Sequence, residues 1–313
     1  MQARCALLIL SYKNKSFLEA LLPTVEELVL NTKNYLVEVI VVENGTDKES
    51  EQYVRTQFQH YRFIQSENNY LFSLNSVARE VHADYIFILN NDLMLHPDVL
   101  NSALPLLEKD PELFAVSCTL MNWEGTQIQY NRSKARVERG WLFIDYEPDQ
   151  LQLERNIFYA CGGASIYRRS MYNELKGFDR IYYPAYYEDT DLSHKAWNRG
   201  WKSVNHPKAV VYHCGGGSWT TEKKKNQLLR LQQRNRIIGM VRNVRTNNFL
   251  LFFFMALPYR LLFNSKLGKN YYLGLLYSLP RLPLALFHRF REKTPPNAHL
   301  AFLNLPDTPY RQL

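Results

Sequence analysis

The chain is short of several things that would have placed it quickly. Its four cysteines (Cys5, Cys118, Cys161 and Cys214) contain no Cys-x-x-Cys pair, which argues against zinc ribbons and disulfide scaffolds. Reduced thiols in a cytoplasmic setting are the simplest account. No Gly-x-Gly-x-x-Gly follows the first apolar segment and there is no Gly-Lys-Ser/Thr loop. Both common glycine cradles for phosphate are therefore excluded, and a diphosphate ligand would need a metal. The apolar run Phe249–Leu257 falls well short of the roughly 20 residues that span a bilayer. The N-terminal run Cys5–Leu10 is too short for the apolar core of a signal peptide and reads as a first strand. No repeat period is visible. Acidic residues are missing from 223–291, a stretch that carries 14 Lys and Arg.

That last absence divides the molecule. The net charge is +8, with an isoelectric point near 9.2. Of the 38 bases, 24 remain outside the basic stretch against 30 acids, a net −6. An acidic body with a strongly basic tail has two kinds of partner to meet. With 313 residues there is room for one large α/β domain plus an appendage.

Tyr85-Ile86-Phe87-Ile88-Leu89 reads as a strand buried on both faces, as in parallel sheets. Asn90-Asn91-Asp92 follows directly, where α/β sheets bind ligands. A carboxylate there is placed to hold a hard divalent cation, or the three polar residues form an Asx turn. Around it, Cys5–Leu10, Phe17–Asn31 and Val37–Val42 form a β-α-β opening that ends in Glu43-Asn44-Gly45. Helix Glu49–Phe58, strand Tyr61–Gln65, helices Asn75–Val81 and Pro97–Leu107 and strand Phe114–Cys118 continue the alternation. A largely parallel sheet with right-handed crossovers follows.

Residues 122–155 break the pattern and predict a loop or small hairpin beside the site. Ile157–Tyr159 then enters Cys161-Gly162-Gly163-Ala164, where missing side chains allow close backbone approach to a ligand or simply tight packing. Asp189 or Thr190 can cap a helix over Leu192–Arg199, with Gly200 as its stop. Glu188, Asp189 and Asp191 complement that helix's dipole or serve chemistry. Val210–Ser218 is a last strand bearing His213.

Taken in order, eight short elements resemble a family 2 glycosyltransferase of the GT-A type, closest to bacterial cell-surface rhamnosyl- or galactosyltransferases. They are Ile9-Leu10-Ser11-Tyr12, Val41-Val42-Glu43-Asn44-Gly45, Asn68-Asn69 through Asn75, Leu89-Asn90-Asn91-Asp92, Gly162-Gly163-Ala164, Gly177-Phe178-Asp179, Glu188-Asp189-Thr190-Asp191-Leu192 and His213. The resemblance implies a Rossmann-like, mainly parallel sheet flanked by helices. It implies donor contacts from Ser11, Tyr12, Glu43, Asn75 and Asn91, and acceptor contacts at Gly162 and Gly163. It implies a Mg²⁺ or Mn²⁺ held by Asp92 and His213, with Asp189 as general base, Glu188 as its understudy and Asp191 orienting the helix. Asn90-Asn91-Asp92 stands where the family has Asp-x-Asp, Glu43 where it usually has Asp, and Tyr70-Leu71-Phe72-Ser73 where it commonly has a Gly-Phe-rich run.

The expected organisation is a catalytic domain over 1–221, a basic amphipathic helical region over 222–292 and a tail over 293–313. The basic region is expected to lie on an anionic membrane face rather than on nucleic acid, because its apolar stretches suit lipid. The expected protein is an inverting transferase at the inner face of the cell membrane. It would take dTDP-rhamnose or a UDP-sugar and act on a lipid-linked or cell-surface glycan. An inactive nucleotide-sugar-binding scaffold subunit is the alternative.

Overall fold

The computed structural model describes residues 2–146, 148, 153–214, 222–246, 248–263, 268–292, 302–303 and 305. The N-terminal half alternates strand and helix: β1 (Arg4–Ser11), α1 (Lys15–Asn31), β2 (Leu36–Glu43), α2 (Lys48–Gln57), β3 (Arg62–Gln65), α3 (Leu74–Glu80), β4 (Tyr85–Asn90), β5 (Leu93–Leu95), α4 (Val99–Lys109) and β6 (Leu113–Asn122). Three short strands, β7 (Ile128–Tyr130), β8 (Ser133–Glu138) and β9 (Trp141–Tyr146), occupy the expected hairpin region. Then come β10 (Arg155–Asn156), β11 (Ala164–Arg168), α5 (Arg169–Glu174), α6 (Glu188–Trp197) and β12 (Lys202–His213). Helices α7 (Glu222–Asn243), α8 (Phe249–Phe263), α9 (Gly268–Ser278) and α10 (Leu282–Arg291) follow.

The main path of the sheet runs β10-β12-β6-β11-β4-β1-β2-β3. Strands β3, β2, β1 and β4 are mutually parallel, as are β6 and β12. Between the two parallel blocks sits β11, antiparallel to both neighbours. Tyr85–Leu89 lies at the centre and is buried on both faces. Ile86 and Ile88 enter one apolar layer and Phe87 and Leu89 the other. Each fully buried side chain of this size is worth about 1.5–3 kcal/mol. Helices α1, α2 and α4 cover the Phe87 face, while α3, α6 and α7 cover the Ile86 face.

One strand was not anticipated and one sequence expectation changes here. Ala164–Arg168, immediately after the glycines, is a strand. Helix α6 begins at Glu188 rather than near Leu192, and its N-cap is Tyr187 in the left-handed region (φ +80°), not Asp189 or Thr190. Gly200 does stop the segment, at φ +82°.

The basic region packs onto the body. Ile237, Ile238, Met240, Val241 and Val244 join the same apolar layer as Ile86 and Phe114. Phe253 of α8 stacks on Trp141 at 6.2 Å between centroids. Gly274 lets α9 cross α7 closely, since a Cβ there would lie 2.6 Å from that of Gln233. No helix of the described residues is long and apolar enough to cross a membrane. Several bases of the stretch serve the fold: Arg234, Arg236, Arg245 and Arg289 donate to backbone carbonyls. The outward sides of α8 to α10 instead show Phe252, Phe254, Met255, Tyr259, Phe287 and Phe290.

Candidate active site

The parallel register places Ser11 beside Glu43 and Leu10 beside Asn90, so the ends of β1, β2 and β4 form one polar edge. Glu43 is fully buried. The Lys13 backbone N–H donates to its Oε1 (3.0 Å), while Oε2 is buried with no partner. Asn91 donates to the Ser11 hydroxyl (3.3 Å). Tyr12 beside them is half exposed. Buried polar atoms are normally satisfied, so the unpartnered oxygens of Glu43, Asn44, Asn90 and Asp92 along this edge ask for a ligand.

Asp92 and His213 meet because β5 pairs antiparallel with the end of β12, setting Leu93 opposite His213. His213 Nε2 lies 3.4 Å from Asp92 Oδ2, and Nδ1 is 2.9 Å from Gln129 Oε1. With Nδ1 protonated toward Gln129, Nε2 offers a lone pair, the arrangement that orients a metal-binding imidazole. Among the described residues no group of three or more His, Cys, Asp or Glu gathers around a point. Asp92, with its spare buried Oδ1, and His213 are two neighbouring side chains that could donate to a cation. A hard cation would complete its shell with phosphate and water oxygens.

The two glycines serve the chain itself. A Cβ on Gly163 would lie 2.4 Å from the Asn90 amide, and one on Gly162 would lie 3.0 Å from the Asp189 Cβ. Gly162 N–H donates to Asp189 Oδ2 (3.1 Å), and Thr190 N–H donates to Oδ1 (2.7 Å). The absent side chains thus draw β4's end and Asp189 together. Asn75 stands apart from this group. Its Nδ2 donates to the Phe178 carbonyl, and its Oδ1 accepts from Phe178 N–H and Tyr172 hydroxyl, so the amide holds the Gly177-Phe178 turn rather than facing a donor.

The adjacent carboxyls separate in character. Burial pushes Glu188 well above the usual carboxylate range, Asp189's charge adds to this, and Oε2 has no partner. Burial also raises Asp189, but the N–H groups of Gly162 and Thr190 favour its anion and hold the rise in check. The anion is therefore better supported on Asp189 than on Glu188.

Asp191 does more than start the helix. It is fully buried and accepts from Tyr182 hydroxyl and Asn243 Nδ2, both at 2.6 Å. Lys195 Nζ lies 3.2 Å away and Arg242 Nη1 3.7 Å. Burial alone would raise its carboxyl, but Arg242 and Lys195 outweigh it and hold the group at about 2. Arg242 also pairs with Asp179 (2.7 Å) and Glu292 (2.9 Å).

The residues that sequence reasoning passed over lie on α7. Asn235, Gly239, Arg242 and Asn243 fall at i, i+4, i+7 and i+8, one helix face. Asn235 Nδ2 lies 2.7–3.0 Å from the carbonyls of Tyr182, Ala185 and Tyr186. Gly239 makes room for the Tyr187 ring, which a Cβ would meet at 2.0 Å. Tyr186 and Tyr187 are both left-handed (φ +70° and +80°) just before Glu188. Such non-glycine residues cost about 1–3 kcal/mol each and persist where surroundings over-determine them. Helix α7 supplies those surroundings. The available signal was the Asn and Gly inside an otherwise apolar stripe.

Beside Asp189 opens a cleft of about 380 Å³ lined by Ile144, Tyr146, Tyr159, Tyr186, Tyr187, Thr190, Gln232, Gln233 and Arg236. The expected hairpin does stand beside the site, through Ile144 and Tyr146.

Comparison with known proteins adds the following. The family model described as glycosyl transferase family 2 matches residues 7–176. An N-acetylglucosaminyl-diphospho-decaprenol L-rhamnosyltransferase of Mycobacterium tuberculosis is 25% identical over 144 residues, covering 42% of this chain and 47% of that protein. The chain thus spans about half the length of the curated relatives it matches. GalNAc-T7 solved with UDP, GalNAc and Mn²⁺ superposes with a TM-score of 0.60 at 13% identity, over 94% of this chain and 58% of that one. A mannosyltransferase of Pyrobaculum calidifontis, in complex with GDP-mannose and Mn²⁺, gives 0.54 at 16% identity, over 96% and 79%. Residues 1–349 of TarS of S. aureus give 0.56 at 12% identity, over 90% and 81%.

Proposed function

The chain belongs to glycosyl transferase family 2 and has the GT-A fold, and from that premise we propose that it transfers a sugar with inversion from a nucleotide-sugar donor to a lipid-linked glycan acceptor. The observation that carries the reading is Asp189, a part-buried carboxylate whose anion is held by Gly162 and Thr190 at the mouth of an open cleft. An acceptor hydroxyl in that cleft would give its proton to Asp189 as its oxygen bonds to the anomeric carbon. The bond from that carbon to the nucleoside diphosphate breaks on the opposite face. One base suffices for such a displacement, and a positioned base is worth about 10²–10⁴-fold.

Glu43, Ser11, Asn91 and Tyr12 would receive the nucleoside at the edge of β1, β2 and β4, where Glu43 Oε2 still lacks a donor. Asp92 and His213 would hold a Mg²⁺ or Mn²⁺ against the diphosphate, and the ion when bound supplies Lewis-acid stabilisation of its oxygens. The rhamnosyl relative's name supports an activated rhamnose as donor, which we take as dTDP-rhamnose, and a diphosphate-linked lipid as acceptor; a UDP-sugar is the competing donor. The exposed Phe252, Phe254, Met255, Tyr259, Phe287 and Phe290 support docking on the cytoplasmic face of a membrane, with Lys224, Lys225, Lys269 and Arg291 adding charge.

The test is nucleotide release from a panel of nucleotide sugars with Mn²⁺, beside donor affinity measured by thermal shift. Asp189→Asn should keep donor binding and lose about 10²–10⁴-fold in turnover. Near-normal turnover would remove Asp189 as base, and failure of every nucleotide sugar to bind would sink the transferase reading.

A further inference from the structure

The cleft beside Asp189 carries one charge that its chemistry leaves unexplained. Arg236 lines it, and its Nε and Nη2 donate to the Leu142 carbonyl. Among the described residues Nη1 has no hydrogen-bond partner, and no carboxylate pairs with the guanidinium. Burial lowers its pKa. A half-buried guanidinium without a counter-charge is costly unless a ligand brings the anion. The two bonds to Leu142 and the Trp141 and Phe143 rings, 5.2 and 5.6 Å from its Cζ, restrain the guanidinium in the cleft wall. Planar, pre-organised guanidinium suits phosphate oxygens. The rest of the wall is Tyr146, Tyr159 and Tyr186 with Gln232 and Gln233, aromatic faces and amides that fit a sugar ring.

Trp141, in contact with Arg236, also stacks on Phe253 of α8 and carries Arg260 at 4.7 Å. The outer side of α8 exposes Leu251, Phe252, Phe254, Met255 and Tyr259. Cleft, Arg236, Trp141 and α8 are thus joined by direct contacts, and α8 adds an apolar surface to them.

We propose that this cleft is the acceptor subsite and that Arg236 binds a phosphate of the carrier on which the acceptor sugar is mounted, with α8 receiving the carrier's apolar part. The inference rests on Asp189 being the base only for the direction in which the sugar points. The phosphate contact is measured by binding, independently of turnover.

The probes are octyl diphosphate, inorganic pyrophosphate and the neutral octyl glucoside, titrated calorimetrically into the full chain saturated with UDP and Mn²⁺ so that the donor site is filled. Octyl diphosphate should bind, octyl glucoside should bind more weakly, and Arg236→Gln should weaken the diphosphate by about 10–100-fold, the worth of a charge-assisted hydrogen bond. Gln keeps an N–H for Leu142, and Arg236→Lys should fall between the two because charge survives and the fork does not. UDP affinity, set by the other edge, should be unchanged in both variants and reports that each has folded. Tighter binding of octyl diphosphate than of pyrophosphate supports an apolar carrier, and equal binding overturns the part given to α8. No diphosphate binding to UDP-saturated wild type, or binding that Arg236→Gln leaves intact, overturns the assignment.

Discussion

Asp191→Asn is a one-atom change at a point where two elements are joined. The carboxylate is fully buried, with Lys195 and Arg242 on one side and Tyr182 and Asn243 on the other. The amide keeps the shape and can still accept from Tyr182, but it turns an N–H toward a buried ammonium. Removing one partner of a buried pair typically costs about 3–5 kcal/mol. Linkage gives a second figure. A carboxyl held at about 2 instead of the ordinary ~3.9 contributes about 2–3 kcal/mol above that ordinary value. The two routes bracket about 2–5 kcal/mol, a large part of a typical 5–15. In urea, followed by tryptophan fluorescence with Trp197 buried on the same helix, the midpoint should drop by about 1–2 M. The pH dependence carries the sign. A depressed carboxyl stabilises above its unfolded pKa and loses that contribution as pH falls toward 2, so wild type should lose more stability than the variant between about pH 4 and pH 2. Arg242→Met should couple to Asp191→Asn by about 0.5–3 kcal/mol in a double-mutant cycle. A midpoint within about 0.3 M of wild type, with additive effects in the cycle, would refute a charge hub at Asp191.

Three further outcomes are expected. Glu188→Gln should retain turnover within about tenfold of wild type, because burial already favours the neutral form of the native group. In both proteins the acid limb of kcat/KM should lie above the ordinary Asp value of ~3.9, activity being lost as pH falls through Asp189's raised pKa. If Glu188→Gln is as inactive as Asp189→Asn, the base has been given to the wrong neighbour. Asp92→Ala and His213→Ala should each remove the Mn²⁺-dependent part of nucleoside diphosphate affinity, and Gln129→Ala should weaken it by about 10–100-fold through the unheld imidazole; identical titrations in EDTA and Mn²⁺ would exclude the metal. Co-sedimentation with phosphatidylglycerol-containing vesicles should weaken in the Phe254→Ser/Met255→Ser double variant more than in 0.5 M salt, since much of the basic stretch is spent on internal bonds; unchanged binding in the double variant would move the contact elsewhere.

The parallel sheet and the polar edge were legible because they depend on local patterns. A two-faced apolar run such as Tyr85–Leu89 can end only at a sheet's edge, and Asp92 and His213 each follow such a run. The reversed β11 was hidden because Ala164-Ser165-Ile166-Tyr167-Arg168 lacks a long apolar stretch and begins behind two glycines. The roles of Asn235, Arg236 and Arg242 were hidden for another reason. A base on a helix looks alike whether it faces water or a buried carboxylate 50 residues away, and local sequence does not tell which face docks. Gly162 and Gly163 were recognised as places of close approach, but what approaches is the chain's own Asn90 and Asp189.

The face of α7 that holds Tyr187 at Gly239 and Asp191 at Arg242 bears on which parts of this chain can be inherited separately. The match to the family model ends at residue 176, short of Asp189 and well short of α7. The physical unit that carries Asp189, the proposed base, nevertheless reaches Val244. Recombination between relatives at 176 or at 221 would unite the start of α6 with a foreign α7. Unless that helix brought a glycine for the ring and a guanidinium for the carboxylate, the hybrid would keep its sheet and lose its catalyst. Segments 177–214 and 222–245 must change together, so substitutions at 187 and 239, and at 191 and 242, are expected to travel as pairs.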